Sequence, residues 1–346
     1  MKELKRCQIC GKTSENIAEV LGVCNECIKN YPEKAEVFIK EAHTKTRKLF
    51  GLPAHPPKAK EGIKCKICAN ECVIPEGEVG FCGLRPSLRE AKVSWYLDPL
   101  PTNCVADWVC PGSKDHGHYN LAVFFHACSM NCLFCQNWHF RELTFKPEVR
   151  SVEDMLKALD PYVTCVCFFG GDPSVQLPFA LKFSEEALKV SKAPELRICW
   201  ETNGMMNTSL LKKAVELSLV SGGCIKFDLK AWNPHIHKAL TGVTNEKILE
   251  NFKIACKFIE KRPEPPLVIA STLLVPGYVD EEEVFCIARF IAEINPEIPY
   301  RLLAFYPQFF MKDLPTTSKE LAYSCYESAK RAGLKRVSIG NIHLLM

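Results

Sequence analysis

Three cysteines in the stretch His126-Ala127-Cys128-Ser129-Met130-Asn131-Cys132-Leu133-Phe134-Cys135-Gln136-Asn137-Trp138 stand at C-x3-C-x2-C spacing. Thiolates so spaced can bind three irons of a cubane. Ordinary four-iron clusters take four thiolates, so a three-thiolate loop leaves one iron open to the amino and carboxylate groups of a ligand. Phe134, directly before the third cysteine, is placed to lie against an aromatic part of that ligand. A zinc site or buried free thiols would use the same cysteines, and the loop alone leaves both readings open.

The chain has 20 cysteines, and two further groups have metal-ligand spacing. Cys7-x2-Cys10 and Cys24-x2-Cys27 form two knuckles close to the pattern of tetrahedral zinc sites. A segment with so few apolar residues needs the metal's binding free energy to fold. Iron would use the same ligands, and a small docking ribbon is the functional alternative. Cys65-x2-Cys68-x3-Cys72-x9-Cys82 lies among glycines that permit tight turns near a metal. Spacing does not separate zinc from an iron–sulfur cluster here, because thiolates serve both. Cys104 and Cys110, in a proline-rich stretch with His116 and His118, are expected to be structural.

A formal charge of +4 is mild for 346 residues and gives no argument for a nucleic-acid or membrane partner. The opening residues Met1 to Arg6 are charged and lead into cysteine, so neither a secretory signal nor a transmembrane helix is expected there. The expected compartment is the cytoplasm, where clustered thiols are metal ligands rather than disulfides.

The elements that must position these thiols follow from periodicity. Glu33 to Ala42 has helical spacing, and Pro53, Pro56 and Pro57 make a stiff linker after it. This divides the chain into 1–60 (zinc-ribbon-like segment, helix and linker), 61–120 (second four-cysteine segment and loops at one mouth of the fold) and 121–346. In the last part apolar strands alternate with amphipathic helices. The strands are Leu121–Phe125, Val163–Phe169, Leu196–Trp200, Cys224–Leu229, Pro266–Leu274, Tyr300–Phe305 and one near Val337. The helices are Val152–Leu159, Leu177–Val190, Ser209–Leu219, Asn245–Ile259, Glu281–Ile294 and Ser318–Ala332. Continuous apolar strands between such helices predict an α/β fold with a parallel sheet buried on both faces, a partial (β/α)6 TIM-type barrel carrying a small cysteine-rich N-terminal metal-binding extension. Cys165, Cys167 and Cys199 are expected to fill core volume.

Residues at the C-terminal ends of barrel strands carry function. Those ends read Gly170-Gly171-Asp172-Pro173, Glu201-Thr202-Asn203-Gly204 and Asp228-Leu229-Lys230. Taken in this order after the three-cysteine loop, they resemble the radical S-adenosylmethionine (SAM) superfamily, and Cys-Gln-Asn-Trp resembles its branch related to pyruvate formate-lyase activating enzymes. The segment at 65–82 is similar to one that precedes the radical domain in the family called AmmeMemoRadiSam. The similarity runs from about residue 65 to the end. The chain departs at Ala127, where relatives often have glycine, at Asp172, where they have glutamate, and at Tyr300-Arg301-Leu302-Leu303-Ala304. Relatives tend to carry Trp-His and an Arg in this last stretch, and its side chains are expected to face the substrate.

The resemblance implies a [4Fe-4S] cluster on Cys128, Cys132 and Cys135, and SAM held by Phe134 against the adenine, with Gly170, Gly171, Asp172, Glu201, Asn203, Asp228 and Lys230. It implies reductive cleavage of SAM to a 5'-deoxyadenosyl radical that abstracts a hydrogen atom, an electron donor of ferredoxin or flavodoxin type, and a substrate that the residues do not select. That substrate is a glycine of a protein partner, as for an activating enzyme, or a peptide, lipid or small molecule. The competing class is a zinc-stapled scaffold without turnover.

Overall fold

The computed structural model describes residues 4–87, 90–102 and 104–345. Met1–Glu3, at the start of the charged opening segment, lie outside them. An eight-stranded sheet runs in sequence order from edge to edge: β1 (Val93–Pro99), β2 (Tyr119–Phe125), β3 (Val163–Gly170), β4 (Arg197–Thr202), β5 (Ile225–Asp228), β6 (Val268–Leu274), β7 (Tyr300–Ala304) and β8 (Val337–Gly340). β2 through β8 pair parallel to their neighbours, and six helical crossovers connect them. Sequential order without reversal is the winding of a barrel rather than of a doubly wound sheet. No pairing joins β1 to β8 among the described residues, so the barrel is open.

β1 corrects one expectation. Residues 93–99 are not loop: Val93 to Pro99 pair antiparallel with Phe125 to Tyr119 over the whole length of β2. The alternation in Val93-Ser94-Trp95-Tyr96-Leu97 was a strand signal, masked by the prolines that follow it. The loop after β1 then turns under the barrel, at the end opposite the strand C-termini. Leu100 and Ala106 are buried there, Arg197 of β4 pairs with Asp115, and Arg301 of β7 pairs with Asp107.

α5 (Leu177–Val190), α6 (Thr208–Ser221), α7 (Pro234–Thr241), α8 (Glu246–Cys256), α9 (Glu281–Ile294) and α10 (Lys319–Arg331) are preceded in this numbering by α1 (Asn25–Asn30), α2 (Pro32–Lys48), α3 (Phe140–Leu143) and α4 (Val152–Leu156). Asn233 caps α7 by accepting from the His235 and Ile236 N–H groups, Pro234 starts it, and left-handed Gly242 ends it. These are ordinary start and stop signals.

The N-terminal segment shares the main core. Ile17, Ala18, Leu21, Val23, Ile28, Ala35 and Ile39 belong to the same buried apolar cluster as the barrel strands and helices. Tyr278, fully buried after β6, accepts from the Ala18 N–H at 2.9 Å and donates to the Val23 carbonyl at 3.1 Å.

Candidate radical SAM site

β2 ends at Phe125, and the three-cysteine loop leaves from there over the mouth of the barrel. Its backbone is held from two sides. The Asn131 and Leu133 N–H groups donate to the Thr241 and Leu240 carbonyls at 2.8 and 3.0 Å, which satisfies carbonyls left over at the end of α7. On the other side the Gly171 N–H donates to Phe125 O at 2.7 Å, and the Asp172 N–H to Ala127 O at 2.9 Å. A Cβ on Gly171 would lie 2.2 Å from Ala127 O, and Gly170 adopts φ +101°. The glycine pair is therefore required for the loop to seat on β3.

Cys128, Cys132 and Cys135 open onto one chamber together with every residue expected to hold SAM: Phe134, Gly170, Gly171, Asp172, Glu201, Asn203, Asp228 and Lys230. Their orientations differ from one another in informative ways. Asp172 caps the turn at Pro173–Val175 by accepting from the Ser174 N–H at 2.8 Å, and also accepts from the Asn203 N–H at 2.6 Å and the Thr202 hydroxyl at 3.2 Å. Burial pushes its carboxyl up, while these donors hold it back. Asn203 reaches the cysteine loop, its amide 3.0 Å from Ser129 Oγ and 3.5 Å from Cys128 Sγ. Glu201 points to the floor, bonded to Lys226 at 3.0 Å. Lys230 pairs with Asp228 and stands 5.5 Å from the Phe134 ring centroid, and Asp228 Oδ1 is buried without a partner.

Burial pushes the thiols of all three loop cysteines up, Cys132 to about 12. Metal coordination reverses that by deprotonating a thiol outright. Lys230 and Arg141 oppose the upward shift at Cys132 and Cys135 and would stabilise the thiolates. Arg141 was not expected from the sequence. It is buried, lies over the Phe140, Phe309 and Phe50 rings, and lines the chamber. Its one sequence signal is its position six residues past Cys135, on α3. Leu303 is the only residue of the 300–304 stretch that lines the chamber: Tyr300 is in the core, bonded to Thr272, and Arg301 pairs with the loop below.

The two other cysteine groups differ in kind. Cys7, Cys10, Cys24 and Cys27 bring all four sulfurs within 4.8 Å of one another, with Cys7–Cys27 at 3.7 Å and Cys10–Cys24 at 3.8 Å. Among the described residues no such tight group forms at Cys65, Cys68, Cys72 and Cys82, although their thiols lie within electrostatic reach of one another. That segment docks on the radical loop: the Asn70 amide donates to Ser129 O at 2.8 Å.

Residues 122–286 match the model of the radical SAM superfamily. A protein of Methanocaldococcus jannaschii is 25% identical over 295 residues, 81% of each chain. The isethionate sulfite-lyase activating enzyme of Desulfovibrio desulfuricans is 37% identical over 139 residues, only 40% of each chain. The pyruvate formate-lyase 1-activating enzyme of Escherichia coli is 27% identical over 176 residues, 50% of this chain and 68% of that one. Over residues 122–286, a little under half of its length, the chain carries a radical SAM domain, which makes it an enzyme whose cofactors are a [4Fe-4S] cluster and SAM. The two relatives named as activating enzymes support a place on the activating-enzyme-like branch. No helix among the described residues is long and apolar enough to cross a membrane.

Proposed function

We propose that Cys128, Cys132 and Cys135 hold the [4Fe-4S] cluster and that the chamber they open onto binds SAM, for hydrogen-atom abstraction from a protein partner. The observation that carries this is the convergence of three thiols, an unpartnered Asp228 oxygen and two buried cations on one chamber at the strand C-termini. The set suits a ligand with an ammonium, a carboxylate, ribose hydroxyls and an adenine. When bound and reduced, the cluster supplies the electron that splits SAM into methionine and the 5'-deoxyadenosyl radical.

This chain's residues bind, orient and shield. Phe134 offers its ring to the adenine, the Gly170–Gly171 turn its carbonyls to the ammonium, Lys230 its charge to the carboxylate, and Asn203 and Asp228 their oxygens to the ribose. Asp172 acts by positioning Asn203 and the turn. Arg141 stabilises thiolate charge. Phe169, Leu273 and Leu303 give the chamber apolar walls that exclude water. The relatives named as activating enzymes of two lyases favour a protein glycine as the hydrogen donor. A ferredoxin or flavodoxin is the reductant in this reading. Zinc occupies Cys7, Cys10, Cys24 and Cys27, and a second iron–sulfur cluster occupies Cys65, Cys68, Cys72 and Cys82, whose looser spacing suits a group larger than one ion.

The test is anaerobic reconstitution followed by reduction in the presence of SAM. Wild type should release 5'-deoxyadenosine, and Cys132→Ala should release none and bind about four fewer irons. Cleavage by a variant lacking all three loop thiols would refute the assignment.

A further inference from the structure

The inside of the barrel continues below the SAM chamber as a second cavity, and the two share Phe169, Glu201 and Lys226 as a common wall. Strand register arranges the lining in layers. In the lowest, Asp98 of β1 stands opposite Asn120 of β2, which pairs with Cys165 of β3. One layer up, Tyr96 stands opposite Ala122, Ala122 beside Cys167 and Cys167 beside Cys199. Above these, Phe169 pairs with Phe124, and Glu201 with Lys226. Asn120 and Phe124 are four residues apart on β2, so the lowest layer lies roughly 13 Å along the sheet from the wall shared with the SAM chamber.

The layers differ in chemistry. At the top, the Lys226 ammonium lies 3.0 Å from Glu201 and 3.2 Å from both Cys104 and Cys167, so its charge is answered within the wall. Asp107 is likewise paired with Arg301. Asp98 has no cation partner among the described residues, and the Thr102 hydroxyl donates to it. Directly across from it Asn120, 4% exposed, keeps its Oδ1 buried without a hydrogen-bond partner. A carboxylate without a counter-charge beside an orphan amide oxygen is a pair that a bound cation with N–H groups would satisfy. Between floor and top the walls are Ala122, Cys165, Cys167 and Cys199, and buried thiols behave as small hydrophobes. The cavity therefore has an acceptor-lined floor, an apolar middle and a boundary with the SAM chamber.

We propose that this cavity takes the cationic end of the substrate, an alkylammonium group. Its N–H groups bond Asp98 and Asn120, its methylene chain lies along the cysteines, and its reacting carbon reaches the SAM chamber past Phe169. The group belongs to a free amine or to a lysine side chain of a protein partner. Where the reacting carbon lies rests on the neighbouring chamber being the SAM site, whereas the binding of the cation does not.

The test is calorimetry on the full chain, reconstituted anaerobically and saturated with SAM, with hexylamine as the probe and hexanol as its uncharged counterpart. Wild type should bind hexylamine and not hexanol. Asp98→Asn should bind hexylamine about tenfold to a hundredfold more weakly, the loss of one charge-assisted hydrogen bond. Glu185→Gln, the same change of charge at an exposed position of α5, should bind like wild type. The peptide acetyl-Gly-Lys-Gly-amide separates the two sources: tighter binding of the peptide assigns the ammonium to a protein partner, and tighter binding of hexylamine assigns it to a free amine. SAM binding and 5'-deoxyadenosine release, read separately, report on the neighbouring chamber. The comparison with hexanol is made on wild type and needs no variant to fold. Equal binding of hexanol and hexylamine, no binding of either hexylamine or the peptide, or an unchanged hexylamine affinity in Asp98→Asn would overturn the proposal.

Discussion

At the scale of single residues, Gly171 and Asp172 are adjacent and fail in different ways. Any Cβ on Gly171 meets a backbone oxygen at 2.2 Å, which cannot swing aside as a side chain would. Gly171→Val is therefore expected to unseat the cysteine loop and take SAM binding below detection. Asp172→Asn keeps the shape but turns one acceptor into a donor facing an N–H group. The loss of a charge-assisted hydrogen bond is worth roughly 1.5–3 kcal/mol. Since Asp172 already accepts from Ser174, Thr202 and Asn203, the loss should fall on thermal stability, with at most about a hundredfold change in SAM affinity. Calorimetry of SAM binding and a melting curve on both variants check this. The idea fails if Gly171→Val binds like wild type or if Asp172→Asn is the more damaging.

Among the elements, α2 and α7 grip the cysteine loop between them through His43. Its Nε2 lies 3.1 and 3.0 Å from the Lys238 and Ala239 carbonyls and its Nδ1 2.8 Å from the Asn131 amide. The neutral ring with its proton on Nε2 satisfies all three partners, since Asn131 donates to Nδ1. Burial drives His43 down to about 4 against those carbonyls, well below the ordinary value of about 6.5. The unfolded chain then binds more protons between these values. The contribution of His43 is complete above about pH 6.5 and is lost as the pH falls toward 4, on the order of 2 kcal/mol at pH 4.5. His237 on α7, also driven down to about 4 by burial, adds in the same direction. His43→Gln should be less stable at pH 7 yet lose less on acidification. Denaturant midpoints measured from pH 7 to pH 4.5 would show it, and parallel curves for the two proteins would exclude it.

Over the whole molecule, the proline-rich linker near residue 60 suggests an independent unit, but contacts cross it freely. Tyr278 depends on Ala18 and Val23, His43 on α7, and a Cβ on Gly277 would lie 2.1 Å from Asn16 O. Removing residues 1–60 uncovers this apolar face and leaves Tyr278 and Asn131 with buried, unpaired polar groups, each costing about 1–3 kcal/mol. The truncated chain is expected to be insoluble, or soluble with the three-cysteine loop unable to retain its cluster. A soluble truncated protein with a full iron content and normal SAM cleavage would show that the segment is dispensable.

The local part of this was legible in residues alone. Periodicity placed the parallel strands and their helices, because a strand buried on both faces and a helix buried on one leave distinct apolar patterns. The order of short motifs at strand ends led to the superfamily, because chemistry on a barrel is confined to those ends. Three-dimensional packing decided what sequence distance hides. Asp172 turned inward to its own turn, and Glu201 and Arg301 turned down to the floor, because each found a nearer partner across the barrel. Arg141 became part of the chamber through a helix whose direction no spacing encodes. Cys165, Cys199 and Cys224 are far apart in the chain and become neighbours only because adjacent strands align in register. Period and motif are properties of neighbours along the chain, whereas a chamber assembled from the ends of separate strands exists only once the barrel is wound.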